Sequence, residues 1–143
     1  HQIINTEKAL DASNIFIHQI TDEQKSYGKS LKIVVERLLQ ALAGKVMLVH
    51  FARIEKQFLK QACLELYGFY PPLLIIDTLA LAKRKLDQRD IAYDSSELTL
   101  PALRKKTGLP NHFAHNALND AIATAELFIA QDKHNNLTLK TLC

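Results

Sequence analysis

Cysteine is scarce in this chain of 143 residues, which holds only Cys63 and Cys143. The two have neither the spacing of a metal knuckle nor the density of a disulfide framework, and both are read as incidental to function. Long apolar runs are lacking too. Runs such as PPLLII (71–76) are far too short to cross a bilayer, and the N-terminus lacks the basic-then-apolar pattern of a signal peptide. No membrane partner is therefore expected, and a cytoplasmic location is the default. There is no internal repeat and no low-complexity segment. Charge of one sign barely dominates: 18 basic against 15 acidic residues leave a net +3, which argues only weakly for an anionic partner. Lys83, Arg84 and Lys85 with nearby Arg89, and Arg104, Lys105 and Lys106, form two basic clusters, read as solvated helix faces. What is present, 48% hydrophobic and 23% charged residues, suits one globular domain over residues 1–143 with an adequate core. The chain opens with His rather than Met, from which a piece of a longer protein is expected.

The patterning predicts a layered α/β domain. HQIIN is a short strand candidate, and residues 6–24 read as an ordered loop around the apolar cluster Ile15 to Ile17. Ser30 offers an N-cap to an amphipathic helix over 31–43, stopped by Gly44. KVMLVH (45–50) follows as a buried strand, a helix is expected over 54–67 with Gly68 ending it, and LLII (73–76) is the next strand. Asp77 or Thr78 caps a helix to about Leu86, and 87–97 reads as an exposed polar loop. A short helix with Pro101 in its first turn and a long final helix from Asn116 to about Lys133 complete the order.

Two His-x4-acid pairs stand out, His115 with Asp120 and His50 with Glu55. His50 ends a strand, and Glu55 opens the following helix, where open α/β sheets collect ligands beyond the carboxyl ends of their strands. An acid in a first helical turn is also favoured by the helix dipole alone. Asp77 holds the equivalent place after the next strand, where N-capping explains it. Two helical residues five apart differ by about 140° around the axis, so His115 and Asp120 face one site only if His115 lies at or before the helix start. Ala117, Ala121, Ala123 and Ala125 should keep this helix slim and let Asp120 approach the strand ends. Converging carboxylates suit Mg²⁺, and a neutral His can take a proton from water, which together point to phosphodiester hydrolysis. Such a site normally uses three or four carboxylates, and two are convincing here.

The segments VMLVHFARIEKQFL (46–59), HNALNDA (115–121) and SNIFIHQIT (13–21) resemble the second, third and intervening motifs of the DEDDh family of 3'-5' exonucleases, the polymerase III epsilon-like group. The likeness extends through PLLIIDTLALAKRKL and LTLPALRKKTGLP to about Gln131. It implies an RNase H-like exonuclease fold, a mixed sheet flanked by helices. It implies Asp120 and Glu55 as ligands of Mg²⁺ or Mn²⁺, in a two-metal site in the intact protein, with His115 as the general base. Glu55 stands where the second motif usually has Asp. Ile17 and His18 match positions that contact the terminal nucleotide, and Phe51 and Ile54 match an apolar wall that stacks on its base.

The family's first motif, Asp-x-Glu, is absent, and the first two strands of the fold with it, so residues 1–5 are expected as the third strand of an N-terminally incomplete domain. The resemblance implies release of nucleoside monophosphates from 3' ends of single-stranded DNA or RNA by the parent protein, with a polymerase or further domains of a longer chain as partners. The fragment alone should be inactive. The alternatives are a degenerate nuclease fold that binds nucleic acid or protein, and an unrelated α/β regulatory domain in which the pairs are coincidence.

Overall fold

The computed structural model describes residues 2–5, 20–112 and 116–132. Its elements follow as β1 (Ile4–Asn5), α1 (Asp22–Ser26), β2 (Lys29–Ser30), α2 (Leu31–Leu42), β3 (Val46–Val49), α3 (Arg53–Tyr67), β4 (Leu74–Asp77), α4 (Thr78–Asp87), a 3-10 turn (Ser95–Leu98), α5 (Leu100–Lys106) and α6 (Ala117–Asp132). The α/β class and the alternation from α2 onward are as the patterning predicted. Among the described residues, no helix is long and apolar enough to cross a membrane.

The strands form two parallel pairs, β1 with β2 and β3 with β4. The β3–β4 register sets Val46 opposite Leu74 and Val49 opposite Asp77, so the two strands end together. At this end α3 follows β3 after residues 50–52 and α4 follows β4 directly. β1 is shorter than the strand expected over residues 1–5. Its pairing depends on Gly28, where a Cβ would lie 2.7 Å from the Asn5 nitrogen and 2.9 Å from the Ile3 carbonyl oxygen. Neither β2 nor α1 was expected. The start of α1 carries a capping box, in which the Thr21 hydroxyl accepts from the Gln24 N–H and the Gln24 side chain accepts from the Thr21 N–H.

The Ser30 hydroxyl caps α2 by accepting from Ile33 N–H at 3.5 Å. Gly68, at φ +74°, ends α3 in the left-handed conformation that glycine adopts without strain. One apolar cluster joins α2 to α3 through Val35, Ala62 and Cys63; the other gathers Ala82, Leu98, Leu103 and Leu127 from α4, the 3-10 turn, α5 and α6. The polar stretch after α4 is better tied than a plain exposed loop. Tyr93 Oη donates to Asp87 at 3.0 Å, and Asp94 and Glu97 form a second capping box.

The basic cluster at 104–106 is not a uniformly solvated face. Lys105 and Lys106 are exposed, but Arg104 is 2% exposed. The alanines of α6 also divide: Ala123 is buried while Ala117 and Ala121 face outward. The inward face is Ala123, Thr124 and Leu127, and Asp120 precedes these by three, four and seven residues, which sets it on the same face.

Candidate active site at the strand ends

The junction between β3 and α3 is built around Asp77, which ends β4. Its Oδ1 accepts from the N–H groups of Phe51 and Leu79, and its Oδ2 accepts from Ala52 N–H, all at 2.9 Å. Asp77 thus caps α4, as its position suggested, and also ties down Phe51 and Ala52, the two residues that lead into α3, whose own N-cap Ala52 has no side chain able to cap it. Phe51 is held at φ +69°, a left-handed conformation that costs a bulky residue energy and persists where neighbours impose it. The result presents Phe51 and Ile54 to solvent, 42% and 60% exposed, on either side of the turn that leads to Glu55.

His50 faces inward and is more than a marker of the strand end. Its Nε2 donates to the Leu98 carbonyl at 3.1 Å, and its Nδ1 lies 2.8 Å from the Thr78 hydroxyl, whose one proton is shared between this nitrogen and the Val49 carbonyl at 3.3 Å. Burial pushes the imidazole pKa down against the raising influence of the Asp77 charge and the Leu98 bond. A neutral ring that pins β3 to α4 and the 3-10 turn fits these contacts.

Glu55 is half-buried in the first turn of α3, and its Oε2 is shielded from solvent with no hydrogen-bond partner among the described residues. Burial pushes its carboxyl pKa up, its own backbone N–H opposes this, and the nearby Asp77 charge adds to the rise. A shielded carboxylate oxygen without a donor is costly unless a cation or proton meets it. A group whose folded pKa is raised contributes stability that is fully present below its ordinary value near 4.5 and lost as pH rises through the folded value. Glu55→Gln is therefore expected to gain stability over the parent as pH rises from about 4.5 toward neutrality. His50, with a depressed pKa, loses stability as pH falls, so the comparison of the two proteins by thermal melts isolates Glu55. Parallel pH profiles would refute the assignment.

Asp120 sits in the first turn of α6, which packs against β3. The Asn116 side chain caps this helix, accepting from Leu118 N–H at 3.1 Å and Asn119 N–H at 3.2 Å. His112 Nε2 donates to Asp120 Oδ1 at 3.2 Å, and Oδ2 has no partner among the described residues. The His112 side chain is 10% exposed and that of Asp120 is 38% exposed. A shallow cavity of about 140 Å³ opens here, lined by His112, Asn119, Ile122, Ala123 and Glu126. Spacing did not single out His112, because it precedes Asp120 by eight residues and lies outside the helix that carries Asp120. Ile17, His18 and His115 lie outside the described residues. Glu55 lies on the helix that follows β3 in the chain and Asp120 on the helix that packs against β3, and each keeps an unpartnered oxygen, a hard donor of the type Mg²⁺ and Mn²⁺ take. Among the described residues no group of three or more acids, histidines or cysteines is gathered as a ready ligand set.

Comparison with known proteins shows the family. The chain is 30% identical over 129 residues to the DNA polymerase III PolC-type of Thermotoga petrophila, covering 90% of this chain and 9% of that protein. It is 27% identical over 134 residues to the PolC-type protein of Mycoplasmopsis pulmonis, covering 94% of this chain and 9% of the relative. Over 130 residues it is 26% identical to a DNA polymerase III subunit epsilon-like protein of Rhodobacter capsulatus, covering 89% of this chain and 17% of the relative. The chain thus spans a small part of each of these relatives. The profile described as Exonuclease matches residues 1–128, and the chain belongs to the exonuclease family.

Proposed function

We propose that this chain is an exonuclease domain of a metal-dependent enzyme that removes nucleoside monophosphates from the 3' ends of single-stranded DNA or RNA. The observation that carries the reading is the shielded, unpartnered Glu55 oxygen at the carboxyl end of β3, flanked by exposed Phe51 and Ile54. A carboxylate kept short of donors beside an apolar wall suits a cation and a base. Family membership and the likeness to polymerase III proteins support nucleic acid as the substrate and a polymerase as its setting.

In this reading Glu55 and Asp120 hold a divalent cation, Mg²⁺ or Mn²⁺. When bound, it neutralises phosphate charge and lowers the pKa of water. Phe51 and Ile54 stack on the terminal base, with Ile17 and His18 meeting the same nucleotide. His115 accepts the proton of the attacking water. The water oxygen bonds to phosphorus, the bond to the 3' oxygen of the preceding nucleotide breaks, that oxygen takes a proton from solvent to become the new 3' hydroxyl, and a nucleoside 5'-monophosphate departs. His112 keeps Asp120 Oδ1 occupied, which leaves Oδ2 for the cation.

The test uses the longest encoded polypeptide that carries these residues, with 3'-labelled single-stranded DNA and RNA and added Mg²⁺ or Mn²⁺. Labelled mononucleotide is expected as the first product. Internal cuts, release from the 5' end, or binding without cleavage would overturn the proposal, and the last outcome would favour a degenerate binding module.

A further inference from the structure

Arg104 is the feature that this chemistry leaves unused. It is a charged residue 2% exposed, on the short helix α5, and it touches two other parts of the fold. One terminal nitrogen donates to the Ala123 carbonyl at 2.8 Å and pairs with Glu126 Oε2 at 2.7 Å, both on α6. The other donates to the Pro110 carbonyl at 3.0 Å. Its Nε is shielded and has no partner among the described residues. Pro110 lies two residues before His112, and Ala123 lies three residues after Asp120. The guanidinium thus bridges the two segments that bring His112 and Asp120 to a separation of 3.2 Å.

Stability is a poor reason for this residue. Taking a guanidinium out of water is expensive, and its partner Glu126 is itself half exposed, while an apolar side chain of similar volume often serves a core as well or better. A planar fork gives something that an apolar side chain does not: fixed directions to acceptors on two chain segments at once.

We infer that Arg104 is a positioning residue, which sets the span between Pro110 and α6 and thereby holds His112 against Asp120. Its effect on cleavage rests on the function proposed above; its effect on the His112–Asp120 pair does not. Arg104 touches neither of these two side chains, so it acts through the backbone carbonyls it grips.

The test compares Arg104→Met, which keeps bulk without charge, and Arg104→Lys, which keeps charge without the fork, with wild type and with Asp120→Asn. The His112 imidazole nitrogen and proton resonances are read by NMR in each folded protein. Both Arg104 variants are expected to move the His112 signals toward those of Asp120→Asn, in which the carboxylate is gone, while melting temperatures show that the fold is kept. In the cleavage assay kcat should fall on the order of tenfold or more with KM little changed, the mark of lost alignment rather than lost binding. Wild-type His112 signals in the folded variants would overturn the inference, as would a lowered melting temperature as the only change, since that is what a purely structural arginine gives. If Arg104→Met does not fold, Arg104→Lys decides alone. Should the wild-type protein cleave nothing, the functional proposal fails, and the His112 signals still decide the role of Arg104.

Discussion

Asp120→Asn is expected to lower mononucleotide release on the order of 10³-fold, with the protein still folded. The size follows from what the carboxylate is asked to do. A cation near the scissile phosphate stabilises several kcal/mol of developing charge, and each ~1.36 kcal/mol is a factor of ten in rate. An amide keeps the volume and one acceptor oxygen but not the charge that the proposed cation requires. The fold should tolerate the change, because the Asp120 side chain is 38% exposed and its one described partner is His112. A rate within about threefold of wild type, well short of the expected loss, would remove Asp120 from the site.

Asp77→Ala is expected to cost about 3 kcal/mol of folding stability, the sum of a lost cap and of hydrogen bonds to a charged acceptor. Three N–H groups, of Phe51, Ala52 and Leu79, lose their acceptor together. They belong to two helix starts, and one of them restrains Phe51 in its left-handed conformation. For a domain of this size the melting temperature should fall by roughly 10 °C. Asp77→Asn should recover part of this, since one oxygen remains while the amide NH₂ meets a donor where Oδ2 met one before. A fall of about 2 °C or less in Asp77→Ala would show that solvent satisfies these groups and that the junction is held otherwise.

The strand ends were legible where local chemistry and apolar period agreed. Gly68 closed α3 where glycine alone takes the left-handed turn cheaply, and Asp77 capped α4 from the place where a capping acid belongs. What Asp77 does for α3 was not legible, because its partners Phe51 and Ala52 lie more than twenty residues away and only the register of β3 with β4 brings them together. Arg104 was misread for a different reason. Its spacing from Leu100 and its place beside Leu103 set it on the inward face of α5, but its charge and the lysines after it suggested solvent. His112 left no signal at all: it lies before α6, eight residues from Asp120, where no helical periodicity pairs the two. The short α1 was passed over because it buries nothing, although Thr21 and Gln24 spell its capping box.

The proposed site requires Glu55 and Asp120 to share one divalent cation, and Mn²⁺ calorimetry on the longest encoded polypeptide tests that most directly. Wild type should take up Mn²⁺, and Glu55→Gln and Asp120→Asn should each abolish or severely weaken the uptake. Wild-type binding in either variant would contradict the shared site, and a wild type that takes up no Mn²⁺ would contradict the metal-dependent mechanism.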